Sequence, residues 1–203
     1  YLPEDGGTSI CEPLSAKVNE LGGRVKLGSR VKRVDREGES WRVTWETAQG
    51  EESALAKDVI LATDPNNAKK ILGASFGASV NGLFFPRALS NAVIRLWFDV
   101  KPRKTAEAGI FSGDFTEHNY FWLDRLYNPF RRWARETQGS ALEVHVYGPP
   151  ETLAQPDAVL LAQAIKDVQQ AWPELQGHRI GQHLQRNPET HTLPAVGPKE
   201  KYL

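Results

Sequence analysis

The sequence predicts an α+β fold with an α/β component, arranged as two lobes. The second lobe is expected to be built on a mixed, largely antiparallel sheet with flanking helices. Three observations carry this. Short strand signals between Arg24 and Lys57 run into an uninterrupted apolar stretch, Val59-Ile60-Leu61-Ala62, which suits a strand buried on both faces of a parallel sheet. Residues 91–147 hold several segments in which apolar and polar residues alternate, the period of a half-buried strand. Asp157–Trp172 places Leu161, Ile165, Val168 and Trp172 at helical spacing, with Pro173 to stop it.

The elements follow in order. Pro3-Glu4-Asp5-Gly6-Gly7 is a turn. A helix follows, with Ile10, Leu14, Val18 and Leu21 on one stripe. Ser9 and Glu12 have the spacing of a capping box, but a start at Pro13 better respects proline's missing N–H. Gly22-Gly23 closes the helix. Arg24–Leu27 and Arg30–Asp35 read as short strands, the second with Val31 and Val34 three apart, which suggests a bulge. Ser40–Thr47 alternates cleanly and pairs back through Gln49-Gly50 onto Glu52–Lys57. After the apolar run, Asn66–Leu72 is a short helix ended by Gly73, and residues 73–90 form a crossing loop.

The strand Asn91–Val100 puts Ile94, Leu96, Phe98 and Val100 on one face, with Arg95, Trp97 and Asp99 on the other. Ile110–Phe111 and Asn119–Asp124 read as strands, and Asn128–Glu136 as a helix opening on Pro129. Ala141–Tyr147 places Leu142, Val144 and Val146 opposite Glu143, His145 and Tyr147. The long helix takes Asp157 as its N-cap, and Arg179–Gln185 is a last strand before an extended tail.

Composition narrows the function classes. The 203 residues carry 25 Lys plus Arg against 25 Asp plus Glu, a balance that argues against nucleic-acid or anionic-membrane binding over the whole surface. The single cysteine, Cys11, excludes an internal disulfide and a cysteine zinc site, and points to a reducing, cytoplasmic setting. It is read as a small buried apolar residue rather than a reactive thiol. The five histidines show no metal-ligand spacing, so no metal site is expected. No phosphate loop, G-x-G-x-x-G, H-E-x-x-H, C-x-x-C or G-x-S-x-G occurs.

The aromatic density between residues 84 and 147 has two readings. One is a sheet packed under helices on both sides. The other is a broad face lining a cavity for a large apolar ligand, with Trp97, Tyr120, Trp122 and Tyr147 on the face opposite the aliphatic one. Glu143 and His145 share that face and are candidates for an acid/base pair.

In order, Pro3 to Gly7, Gly23-Arg24-Val25-Lys26-Leu27, Val31 to Val34, the hairpin Trp41 to Ala56, and Val59-Ile60-Leu61-Ala62-Thr63 resemble the flavin-containing amine oxidase and phytoene desaturase superfamily. Ala92–Asp99, Asn119–Asp124, Ala141–Pro149 and the H-x-L-P motif of His191 to Pro194 are similar to the carotenoid and squalene desaturase branch. The resemblance implies that residues 1–73 are a partial FAD-binding lobe, 74–190 a substrate-binding lobe, and 191–203 a tail returning toward the cofactor lobe. It implies FAD as cofactor, hydride transfer to the flavin, and an apolar small-molecule substrate, with peripheral membrane contact as a corollary. By the same resemblance Val31 meets the adenine through its backbone, with Ala62 and Thr63 as further contacts. Trp97, Tyr120, Trp122, His145 and Tyr147 are the candidate substrate residues.

The N-terminal G-x-G-x-x-G and the C-terminal Gly-Asp segment of such enzymes are absent, and the chain contains no methionine. It is therefore expected to be an internal piece that neither holds FAD tightly nor turns over alone. Two other functions stay open: a flavin amine oxidase acting on an amine, and a non-catalytic module that binds an apolar ligand.

Overall fold

The computed structural model describes residues 3–86, 88–103 and 106–192. The chain divides into two compact units, one of Tyr1–Leu21 and Ser90–Pro188, the other of Gly22–Leu89 and the chain from Glu189. The expected boundary at 73/74 thus moves to 89/90, and the first helix groups with the later sheet. Residues 193–203 of the expected tail lie outside the described residues, as do Leu193 and Pro194 of the H-x-L-P motif.

The first helix, α1 (Thr8–Glu20), starts five residues before Pro13 and carries that proline in its interior. The Ser9–Glu12 capping box does not form: the N-cap is Gly7, and Ser9 Oγ donates to the Gly6 carbonyl at 2.7 Å. None of the helix's residues is buried. That is why its apolar stripe failed as a guide, and why Cys11 is exposed instead of buried.

In the second unit, β1 (Arg30–Glu37), β2 (Ser40–Thr47) and β3 (Gly50–Ala56) form an antiparallel sheet in the order β1-β2-β3. The register of β1 on β2 slips between Val31 and Arg33, the bulge that the valine spacing predicted. Two expected strands are not there. Arg24–Leu27 and Val59–Ala62 are both irregular, and Leu27 and Ile60 are 89% and 91% exposed. A strand exists only where a neighbour takes its backbone groups, and neither segment has such a neighbour among the described residues. The helix α2 (Pro65–Phe76) runs through Gly73 and stops at Gly77, whose φ of 54° makes it the true cap. Asp64 caps its other end, accepting the Asn67 N–H at 3.0 Å. The helix packs on β1, where Ser75 Oγ takes the Val34 N–H at 2.8 Å.

The other unit is a five-stranded sheet in the order β5-β6-β7-β4-β8. Its strands are β4 (Ala88–Phe98), β5 (Ala108–Ile110), β6 (Asn119–Trp122), β7 (Ser140–Val146) and β8 (Arg179–Thr192). The pairs β4·β7, β6·β7 and β5·β6 are antiparallel. Two short helices, α3 (Leu123–Leu126) and α4 (Asn128–Thr137), join β6 to β7. A third, α5 (Pro150–Leu153), precedes the long α6 (Asp157–Ala171). Asp157 is the first helical residue rather than the N-cap, and its carboxylate pairs with Arg186 at 2.7 Å instead.

One face of this sheet is the core. Ala92, Ile94, Leu96 and Phe98 of β4 and Leu142, Val144 and Val146 of β7 pack with Leu160, Ala164 and Val168 of α6 and with Trp172 and Leu175. Each large apolar side chain buried there contributes about 1.5–3 kcal/mol. The buried stripe of α6 is turned from the expected one: Leu160 and Ala164 form its centre, and Leu161 and Ile165 flank it. The aliphatic and polar faces of β4 and β7 agree with the sequence reading. Those of β6 do not. Tyr120 stands opposite Val144 and Trp122 opposite Leu142, so both join the core face, where each ring meets Trp172 edge-on at 5.0 and 5.3 Å.

Candidate functional site

The second face of the five-stranded sheet carries the polar rows of its strands. Arg95 of β4 lies opposite Glu143 of β7, and Val93 opposite His145. On the other side of β7, Phe121 lies opposite Glu143 and Asn119 opposite His145. Trp97 continues the β4 row and is covered by Gly181 of β8, where an added Cβ would come 3.6 Å from the Trp97 Cβ. Of the five candidate substrate residues, this face therefore holds Trp97, His145 and Tyr147. Trp122 is fully buried and Tyr120 packs against the core cluster. Phe121, which the sequence reading left out of the substrate set, lies 5.2 Å from the His145 ring. Three aromatics in succession hide the alternation that would have identified it.

Four side chains on this face are joined in series. Arg95 Nε donates to Glu143 Oε2 at 2.5 Å. Glu143 Oε1 meets His145 Nε2 at 2.9 Å, and His145 Nδ1 meets Tyr147 Oη at 2.9 Å. Asn119 Nδ2 donates to the same phenol oxygen at 3.5 Å. Burial raises the Glu143 carboxyl, but hydrogen bonds from His145 and Arg95 outweigh it, and the carboxyl is held below its usual range. The Arg95–Glu143 end forms part of the wall of a cleft of about 260 Å³, with Asp5, Gly6, Gly7, Leu123, Tyr127, Pro129 and Phe130. The turn 3–7 is fixed there by Asn128, whose N–H donates to the Glu4 carbonyl at 2.7 Å and whose Nδ2 donates to Asp5 Oδ1 at 3.0 Å.

The other unit has a cleft of its own, of about 640 Å³, lined by Ser29, Arg30, Val31, Lys32, Thr63, Asn67, Lys70 and Ile71. Two of the three expected cofactor residues, Val31 and Thr63, thus share one cavity; the exposed Ala62 is not on its wall. β1 is an edge strand, so one row of its backbone donors and acceptors has no partner strand. At Val34 that row is taken by Ser75. An edge-strand backbone beside a cavity can read a planar heterocycle through N–H and C=O groups alone. Lys32 is paired with Glu46 at 2.6 Å. Arg30 and Lys70 form no ion pair among the described residues.

Residues 1–193 match the model of the family of flavin-containing amine oxidoreductases. The chain belongs to that family. No curated protein matches the sequence. Among solved structures, reduced UDP-galactopyranose mutase superposes with a TM-score of 0.69 at 16% identity, covering 97% of this chain and 41% of that one. An oxidoreductase from Methanosarcina mazei gives a TM-score of 0.66 at 14% identity, covering 92% of this chain and 43% of that one. A putrescine oxidase with putrescine bound gives 0.59 at 14% identity, covering 88% and 38%. At these identities the likeness is one of fold, and the chain spans about two fifths of the length of these relatives. The mixed α+β architecture, with its antiparallel sheets and flanking helices, is part of the fold of flavin-containing oxidoreductases. Among the described residues no helix is long and apolar enough to cross a membrane.

Proposed function

We propose that this chain is part of an FAD-dependent oxidoreductase that removes hydride from an apolar substrate, in the manner of carotenoid and squalene desaturases. Its five-stranded sheet offers the substrate its open face, and the cleft at Val31 and Thr63 takes the adenine half of the cofactor. Bound FAD supplies the two-electron acceptor. The residues fit that group: the unpartnered strand edge at Val31 suits adenine, and Arg30 and Lys70 on the same cleft suit an anionic diphosphate.

The observation that carries the substrate class is the arrangement of Glu143. A site for an amine needs a carboxylate or an aromatic cage to meet the ammonium group. Glu143 lines the cleft beside Leu123, Tyr127, Pro129 and Phe130, but its two oxygens are already engaged by Arg95 and His145. The rest of the wall is Asp5, whose carboxylate Asn128 Nδ2 engages at 3.0 Å, Gly6, Gly7 and the apolar and aromatic side chains just named, a set that suits a hydrocarbon better than an ammonium group. Such a substrate partitions into lipid, so peripheral contact with a membrane accompanies this reading.

The test is anaerobic mixing of the complete protein, loaded with FAD, with a polyene in detergent micelles and separately with primary amines. The flavin absorbance is expected to bleach with the polyene and to stay with the amines. Bleaching by amines alone would transfer the chain to the amine oxidase reading, and a protein that takes up no FAD would favour the non-catalytic binding module.

A further inference from the structure

A cleft of about 240 Å³ lies between the segment after β4 and the helices α3 and α4, wholly within the five-stranded unit. Buried Pro102 and Ala134 form part of its wall. Around them stand Lys101, Arg125, Arg131 and Arg135, with Asp124 as the one carboxylate. Arg131, Ala134 and Arg135 are spaced i, i+3, i+4, so α4 turns all three to the same side. The chain as a whole is balanced, with 25 basic and 25 acidic residues, so four cations around one carboxylate are a local excess. The protein does little to neutralise it. Lys101 and Arg135 form no ion pair among the described residues, and Arg131 has Glu4 at 3.8 Å. Asp124 Oδ1 accepts the Ala141 backbone N–H at 2.9 Å.

Two of the cations are held in place before any ligand arrives. Arg131 Nη1 donates to Asn128 Oδ1 at 2.9 Å, and its Nη2 donates to the Arg125 carbonyl at 2.6 Å. The Arg125 guanidinium lies over the Trp122 ring, 5.7 Å from its centroid. Side chains fixed in this way lose less freedom on binding. The cleft is smaller than the roughly 300 Å³ at which pockets begin to take a whole drug-sized ligand, so it suits a compact charged group and not the body of an apolar molecule. A carboxylate brings a single charge and leaves most of the excess. A phosphomonoester brings about two negative charges and three acceptor oxygens, which guanidinium forks meet from several sides. We propose that this cleft binds the phosphate of a phosphomonoester, carried by a free small molecule or by the headgroup of an anionic lipid. Lys101 and Arg135 supply charge-assisted hydrogen bonds, and Arg131 presents its remaining N–H groups. The site is independent of the flavin and substrate readings.

The test is calorimetric titration of the complete protein with inorganic phosphate, alongside flotation with phosphatidylcholine vesicles made with and without phosphatidic acid. Lys101→Gln and Arg135→Gln should each weaken binding by about tenfold or more, the effect of losing a hydrogen bond between charged partners. Arg132→Gln removes the same charge from the same helix but does not line the cleft. It should bind within about threefold of the wild type, as expected for an exposed charge outside the site. Lys101, Arg132 and Arg135 are all exposed, so the three variants should keep the wild-type thermal midpoint. Flotation that depends on phosphatidic acid and is lost in Arg135→Gln assigns the phosphate to a lipid. Phosphate binding with no dependence of flotation on phosphatidic acid assigns it to a free phosphomonoester. Absence of both overturns the site. Equal weakening by all three variants overturns it as well, because the cations would then act as a diffuse field and not as a cleft.

Discussion

Replacing Trp122 with alanine is expected to destabilise the five-stranded unit by about 3–5 kcal/mol, the range for emptying a fully buried aromatic site. Trp122 is 0% exposed, stands opposite Leu142, and meets Trp172 edge-on at 5.3 Å. Removing it opens a cavity between β6 and α6, where the sheet and helix cannot both move in. Its indole N–H has no hydrogen-bond partner among the described residues. Trp122→Phe deletes that orphaned donor along with part of the ring, so it should cost much less than the alanine change. Urea unfolding of both variants measures this: the midpoint should fall steeply for alanine and modestly for phenylalanine, with the slope unchanged. Were Trp122 a substrate-lining residue, as its sequence suggested, both changes would leave the midpoint in place and alter only substrate affinity.

A loss of stability on going from mildly acid to mildly alkaline pH is the second large expectation. Glu117 is 3% exposed and neither carboxyl oxygen has a hydrogen-bond partner among the described residues. Burial, reinforced by the nearby carboxyl of Asp167, pushes the Glu117 carboxyl up to about 8. Asp167, 2% exposed, accepts the Thr116 N–H at 2.9 Å and Gln163 Nε2 at 2.9 Å, which ties the segment before β6 to α6. The folded state holds the Glu117 proton more tightly than the unfolded chain does, whose carboxyl titrates near the ordinary value of 4.5. The contribution to stability is therefore complete below that ordinary value. It declines by about tenfold in the unfolding equilibrium per pH unit up to about 8, and levels off above. Glu117→Gln has nothing to ionise. Its unfolding curve, measured against the wild type from pH 4 to 9, should lack this decline, and the variant should be the more stable at the alkaline end. Parallel curves for the two proteins would contradict the assignment.

These two residues show where the sequence was a good guide and where it was not. Ser40–Thr47 was legible to the residue, because clean alternation is bracketed by turns at Gly38 and Gly50. The faces of β4 and β7 were legible for the same reason. β6 was not: Tyr120, Phe121 and Trp122 are all aromatic, and only the register with β7 decides which of them enter the core. Asp167 sits within the buried stripe of α6, and Glu117 is buried in a loop. Hydrophobic periodicity cannot place a buried carboxyl, since its pattern assigns charges to the surface. Val59–Ala62 has the composition of a buried strand, but composition does not supply the neighbour that a strand needs. The Val31–Thr63 cleft was legible only through family likeness, while the series from Arg95 through Glu143 and His145 to Tyr147 joins side chains whose contacts no sequence pattern encodes.

Hydrogen exchange of the complete protein, followed first on adding FAD and then on adding an apolar polyene to the FAD-loaded form, tests the division of labour between the two units most directly. FAD should protect the backbone amides of residues 29–32 and 63–71, where the bulged edge of β1 and the start of α2 line one cleft. The polyene should then protect residues 119–121 and 143–147, which carry the polar row of the sheet. Protection by FAD confined to the five-stranded unit, or by the polyene confined to the three-stranded one, would contradict the account.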